Sequence, residues 1–228
     1  RYTMNYELSL RLQTCLDALT PLQNVADVGT DHAYLPCVGI LNGKIKKAIA
    51  ADIGVGPLEA AKATIARYHL NEQIETRLGP GLTVLKPSEV EGVVIAGMGG
   101  KLIVSILEDN VSLSRSFKRL VLQPNIDANL LREWLANHQF EIIDEKIVLD
   151  EGKFYEIVVA TPSKDLIHYN ELDIEFGPIL RSNKENEVFH AKWMKEFVKN
   201  KSIIEQLPDN HPRVKSLNKR QEILKEVL

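Results

Sequence analysis

The sequence predicts an α/β protein built on a doubly wound sheet, closed by an antiparallel hairpin and followed by a helical segment. Three observations carry this expectation. Short apolar runs alternate with helix-like runs from about residue 20 to Thr161. The apolar runs are uniform rather than alternating, GVVIA at 92–96 being the clearest, as in parallel strands covered on both faces. Beyond Pro162 the chain becomes polar, and its apolar residues recur at helical spacing.

The elements follow in order. Leu8, Leu12, Leu16 and Leu19 mark an opening helix over residues 8–19. Val25–Val28 is a short strand leading into a Gly/Asp loop, and Ala48–Ala51 is a second strand ending at Asp52. Pro57–His69 reads as a helix with proline in its first turn. Ile74–Leu78 and Gly92–Ala96 are the third and fourth strands, and Lys101–Glu108 is a helix after GMGG. Arg119–Leu122 is the fifth strand, and Ala128–His138 a helix with Asp127 as its expected N-cap. Phe140–Val148 and Phe154–Thr161 flank Gly152 as a hairpin. In the tail, Trp193, Phe197, Ile204 and Leu207 form one helical stripe; Pro208 to Pro212 interrupt it, and Val214, Leu217, Gln221 and Leu224 resume it. The expectation is a helical hairpin attached to the α/β unit, with units at residues 1–162 and 163–228.

Composition narrows the function. The chain has 228 residues, 44% hydrophobic and 26% charged, which suits a globular core and argues against wholesale disorder. A formal net charge of −3 argues against coating nucleic acid through bulk charge, while leaving room for a local basic face. Cys15 and Cys37 form no CxxC pair and read as buried thiols in a reducing compartment. The six histidines form no ligand cluster, so no metal site is expected. No apolar run approaches the length of a membrane span and no signal segment opens the chain, so a cytoplasmic protein is expected, with no membrane association and no obligate protein partner. Arg1–Thr3 precede Met4, an arrangement that fits a short non-native leader.

Ligands of doubly wound sheets bind at the carboxyl ends of the strands, and the distinctive residues of this chain fall there. VADVGTDHAYLP (25–36) lacks the GxGxxG of a pyrophosphate loop, since Asp31 and Tyr34 stand where glycines would. Asp27 and Asp31 suit a ligand with a positive centre, such as the ammonium and sulfonium of S-adenosylmethionine, better than the anionic phosphates of NAD. Asp52, about 20 residues further on, can accept both hydroxyls of a ribose. RLGPGL (77–82) and AGMGG (96–100) supply glycines where a flat base could approach the backbone. LQPN (122–125) offers the Gln123 and Asn125 amides to a base edge, with Pro124 fixing the backbone between them.

In this order, LSLRL, DVGTDHAYLP, AADIGVGPL, RLGPGL, IAGMGG, LQPN and DEGKFYEIV resemble the bacterial tRNA (adenine-N1)-methyltransferases that modify adenine 22 in the D-arm. The resemblance covers nearly the whole chain. It implies a class I, Rossmann-like methyltransferase sheet, S-adenosylmethionine as methyl donor, tRNA as partner, and a coiled-coil-like C-terminal domain that helps hold tRNA. It further implies that the first loop (Asp27, Gly29, Thr30, His32) and Asp52 with Ile53 hold the cofactor, with Gly79, Pro80, Gly97 and Met98 completing its surroundings. One departure stands out: the family motif RLGDGL reads RLGPGL here, so Pro80 replaces an acid that commonly meets the cofactor's adenine amine.

Transfer to N1 of adenine needs no general base, because that nitrogen carries a free lone pair; alignment and an acceptor for developing positive charge matter most. Asp31 is the expected acceptor, with Gln123 and Asn125 orienting the base and Tyr34 or Tyr155 stacking on it. The tail from Arg181 to Arg220 carries a mild positive excess suited to phosphate contacts. Two other readings remain open from the residues: a nicotinamide oxidoreductase, which lacks its phosphate loop here, and a non-catalytic RNA-binding protein of the same fold.

Overall fold

The computed structural model describes residues 6–228; the reading of Arg1–Thr3 lies outside them. Seven strands form one sheet in the order β3-β2-β1-β4-β5-β7-β6. β1 (Asn24–Val28), β2 (Lys47–Asp52), β3 (Ile74–Leu78), β4 (Gly92–Met98) and β5 (Arg119–Pro124) run parallel. β6 (Phe140–Asp150) and β7 (Lys153–Pro162) form the expected antiparallel hairpin, and β7 inserts between β5 and β6. Chain order therefore reverses between β1 and β4, and the crevice at that switch lies between Val28 and Ile95 at the carboxyl edge.

The uniform apolar runs follow from burial on both faces. Val93, Val94 and Ile95 of β4 are fully buried, as are Leu120, Val121 and Leu122 of β5. Alternate side chains enter opposite layers. Ala26, Val93, Ile95, Leu120 and Leu122 pack with α4 (Gly100–Glu108) and α6 (Ala128–Asn137). Val25, Val94 and Val121 pack with α1 (Leu10–Ala18), α2 (Tyr34–Leu41) and α3 (Val55–Arg67). Cys15 and Cys37 are free and buried in the second layer, which pushes both thiols up to about 12.

Asp127 departs from its expected role. It precedes α6 in a left-handed backbone (φ 59°) and makes no side-chain capping bond. The reason is the packing of the loop on α4. Gly100 donates its N–H to the Ile126 carbonyl at 2.8 Å, and a Cβ on Gly100 would collide with the Asp127 backbone. Docking against that glycine sets the Asp127 conformation. Three short elements escape the periodicity: a 3₁₀ turn at Gly81–Val84, α5 (Val111–Ser114) and α7 (Glu171–Phe176).

The tail forms the expected hairpin of α8 (Glu187–Gln206) and α9 (Pro212–Val227). Phe189 and Trp193 of α8, Leu224 and Val227 of α9 and Phe176 of α7 share a cluster with Ile147 of β6, and Phe154 of β7 packs against it. Ile204 and Leu207 lie beyond that cluster, half-buried. The tail thus rests on the outer hairpin of the sheet. A buried ion network crosses the same boundary. Arg132 of α6, fully buried, bonds Glu145 at 2.8 Å and also Glu156, and Lys192 of α8 reaches Glu156 at 2.6 Å.

Candidate functional site

The loop after β1 is folded back over the end of β2. The N–H groups of Gly29 and Thr30 both donate to the Ala51 carbonyl at 2.9 Å. Gly29 has φ +80°, a left-handed backbone that favours glycine, and a Cβ there would push aside the end of the Met98 side chain. Asp31 (φ 55°) and Ala33 (φ 59°) also hold left-handed backbone, Asp being one of the residue types that tolerates it. For Ala33 such geometry costs about 1 kcal/mol or more, a strain that collects at ligand loops. Asp52, ending β2, anchors the arrangement: one carboxylate oxygen accepts the Asp31 N–H at 3.1 Å and the other the Gly54 N–H at 2.9 Å. Each oxygen keeps lone-pair capacity for a ribose hydroxyl.

Asp27 lies beneath this loop, 6% exposed, accepting the Thr30 hydroxyl at 2.9 Å. Burial pushes its carboxyl up to about 6; the Thr30 bond and Arg11 oppose the shift, while Asp52 and Asp31 add to it. Arg11, from α1, is the site residue least visible in the sequence. Its Nη1 donates to Gln123 Oε1 at 2.7 Å, its backbone N–H donates to Asp150, and its guanidinium lies 5.5 Å from the Tyr155 ring centre.

Gln123 is fully buried, and both ends of its amide are engaged. Oε1 accepts from Arg11 and from the Gly97 N–H (2.9 Å), and Nε2 donates to Asn125 Oδ1 at 3.1 Å. Direct pairing of Gln123 with a base, the sequence expectation, does not fit this placement. The amide instead joins α1, the β4 loop and Asn125. Asn125 is exposed, and its backbone is tied to Met98 by an N–H···O bond of 2.8 Å.

Two adjoining clefts open above these loops. The larger, about 690 Å³, brings together Gly29, Asp31, Asp52, Ile53, Gly79, Pro80, Gly97 and Met98, eight of the expected residues. Its apolar walls include Ile53, Leu82, Leu102 and Ile106; Ile53 is 72% and Leu102 52% exposed, leaving apolar surface for a flat ligand to cover. The smaller, about 210 Å³, is polar and lined by Arg11, Asp27, Thr30, Asp31, His32 and Tyr34. His32 and Tyr6 both stack on the Tyr34 ring, at 5.1 and 4.0 Å between ring centres. Asp31 lines both clefts. Asn125 lines neither; it opens onto a third cleft of about 690 Å³ between the hairpin and the tail, with Tyr155, Lys153, Lys192, Lys195 and Arg220. Three tail cations are engaged in ion pairs there or nearby: Arg181 with Asp173, Lys192 with Glu156, and Arg220 with Glu175 and Glu196. Among the described residues no cluster of His, Cys, Asp and Glu has the makings of a metal site.

Sequence reasoning missed Arg11, Leu102, Ser105, Ile106 and Asp109. The last four recur at i, i+3, i+4 and i+7 along α4 and its C-cap, so a helical reading of that face, placed after the fourth strand, could have found them.

This sheet order, a carboxyl-edge cleft with the Asp52 carboxylate on its wall, and a glycine loop lacking a pyrophosphate cradle define a Rossmann-like methyltransferase. The family described as tRNA (adenine(22)-N(1))-methyltransferase matches residues 25–227. A Bacillus subtilis tRNA (adenine(22)-N(1))-methyltransferase is 40% identical over 97% of both chains. Among solved structures, a Streptococcus pneumoniae protein in complex with S-adenosyl-L-methionine superposes with a TM-score of 0.88, at 36% identity, over 97% of this chain and 100% of its own. An M. capricolum relative with S-adenosyl-homocysteine gives 0.85, at 28% identity, over 97% of each chain. The chain belongs to the tRNA (adenine(22)-N(1))-methyltransferase family.

Proposed function

We propose that this enzyme methylates N1 of adenine 22 in tRNA from S-adenosylmethionine, and that the two adjoining clefts divide the cofactor between them. The observation that carries this reading is the Asp52 carboxylate, held by two backbone N–H groups on the wall of an apolar cleft that shares Asp31 with a charged one. The apolar cleft suits the adenine ring, with Ile53 and Pro80 among its walls. The charged cleft suits the amino-acid end, Asp27 facing its ammonium and Arg11 its carboxylate. Gly29, Thr30, His32, Gly79, Gly97 and Met98 complete the proposed surroundings.

The cofactor supplies an electrophilic methyl group on a sulfonium. The chain has to bring N1 of the target base into line with it and to exclude water. Positive charge appears on the base as the bond forms, and Asp31, on the rim shared by both clefts, is the proposed acceptor for that charge. Asn125 is proposed to hold the base edge, and Gln123 to position Asn125 and Gly97 rather than to touch substrate. The third cleft and the cations of the tail that make no ion pair among the described residues, such as Lys195, are the proposed path of the RNA backbone. We further propose residues 1–162 as the cofactor-binding unit and 163–228 as the RNA-holding unit. No helix among the described residues is long and apolar enough to cross a membrane, and the proposed site of action is the cytoplasm, where tRNA is found.

Transfer of labelled methyl groups to tRNA lacking its own modification, with mapping of the product nucleotide, tests the activity. Asp31→Ala should reduce transfer far more than cofactor affinity. Loss of cofactor binding in that variant would move Asp31 out of the catalytic role.

A further inference from the structure

We propose that Asp109 selects the adenine ring of the cofactor by accepting a hydrogen bond from its exocyclic amine. The proposal rests on the S-adenosylmethionine reading of the larger cleft.

That cleft is apolar along most of its walls, so the few polar groups on it decide which flat base it accepts. Asp52 is committed at one end to the loop N–H groups and to the sugar. Pro80 offers no polar side chain, and its carbonyl already accepts two bonds, from the Thr83 N–H at 3.2 Å and the Thr83 hydroxyl at 2.6 Å. A double-occupied carbonyl is a poor acceptor for a third donor.

The opposite wall is α4. Its facing residues are Leu102, Ser105, Ile106 and, one turn further on, Asp109. The two walls touch: Gly81 has φ +53°, and a Cβ on it would meet Ile106 Cγ2 at 3.1 Å. Ser105 turns its hydroxyl proton back to the Leu102 carbonyl at 2.8 Å. Asp109 is different. It lines the cleft, is exposed, and makes no ion pair or side-chain hydrogen bond among the described residues. It also caps the C-terminus of α4, where a negative charge opposes the helix dipole and destabilises the helix. Local stability therefore gives no reason for a carboxylate at this position, whereas an amine donor in the cleft does.

The experiment is calorimetric titration of the full chain with S-adenosylhomocysteine and with its analogue carrying unsubstituted purine in place of adenine. The wild type should prefer the amine-bearing ligand by about tenfold, the worth of one charge-assisted hydrogen bond at a half-open site. Asp109→Ala should bind both ligands equally, at the wild type's affinity for the purine analogue, with no loss of thermal stability. Asp109→Asn, which keeps a neutral acceptor, should fall between. Ser105→Ala should retain the full preference. An Asp109→Ala protein that still prefers adenine as strongly as the wild type overturns the proposal, as does loss of the preference in Ser105→Ala instead. A wild type that binds neither ligand overturns the cofactor reading itself, and the proposal with it.

Discussion

Asp27→Asn should make the ligand-free protein more stable and the cofactor bind more weakly. The carboxyl is buried and moves from 3.8 to about 6 on folding, chiefly through burial. Between those values the folded chain keeps a proton that the unfolded chain has lost. The contribution of neutral Asp27 is therefore complete below pH 3.8 and is lost as pH rises to about 6. Above that, the folded state carries a buried charge at a cost of about 3 kcal/mol, taking about 1.4 kcal/mol per pH unit. Asparagine removes the charge and can still accept the Thr30 hydroxyl, now at 2.9 Å from Asp27. Its stabilisation at pH 8 should approach that figure, or about 6–12 °C in melting temperature for a chain of this size, and should vanish near pH 4. The cofactor's ammonium reverses the balance, because it favours the charged carboxylate. Wild-type affinity should fall about tenfold per pH unit below pH 6, and the Asn variant should bind weakly with no such slope. Thermal melts from pH 4 to 8 and titration calorimetry over the same range provide the readings. An Asn variant no more stable than wild type at pH 8, or one that keeps the wild-type slope in cofactor affinity, would refute this account of Asp27.

Arg132→Ala should destabilise the protein by about 3–5 kcal/mol in urea unfolding, because Glu145 and Glu156 stay buried without their guanidinium. Asp52→Ala should weaken S-adenosylmethionine binding by about 1–3 kcal/mol in calorimetry with the fold intact, since the ribose loses a charged acceptor. Arg11→Ala should lower the methyl-transfer rate by about tenfold or more while leaving circular dichroism unchanged, because the Gln123 amide loses the bond that fixes it. A chain ending at residue 162 should bind tRNA less tightly and with a shallower salt dependence in filter binding. It should also melt below the full chain, since Ile147 and Phe154 lose the cover of the tail and Glu156 loses Lys192.

The strands and the loops that end them were legible because each is marked locally. GVVIA has to be buried on both faces, and Gly29 and Asp52 stand at strand ends, where such sheets turn. What escaped is specified at long range. Arg11 meets Gln123 across 112 positions of chain, and nothing in the amphipathic pattern of residues 8–19 distinguishes it from a surface arginine. Arg132 likewise sits in a helix whose spacing puts charges outside, yet it is fully buried because two carboxylates of the hairpin lie beneath it. Gln123 looked like a base-reading amide because the sequence cannot show that its partners are already in the protein. The positive excess of the tail was countable, but the ion pairs that engage Arg181, Lys192 and Arg220 were not.

β7 carries Tyr155 and Glu156 side by side, and successive side chains of a strand emerge on opposite faces. Tyr155 meets Arg11, and through it the Gln123–Asn125 amide pair; Glu156 is clasped by Arg132 and Lys192. A single strand thus joins the proposed catalytic groups on one face to the helical arm on the other. In the proposed role, a long RNA leaning on α8 would load Lys192 and, through its ion pair, Glu156, the residue next to Tyr155. The tail, in that proposed role, is a gauge that sets how far a grip on the RNA body lies from the base to be methylated.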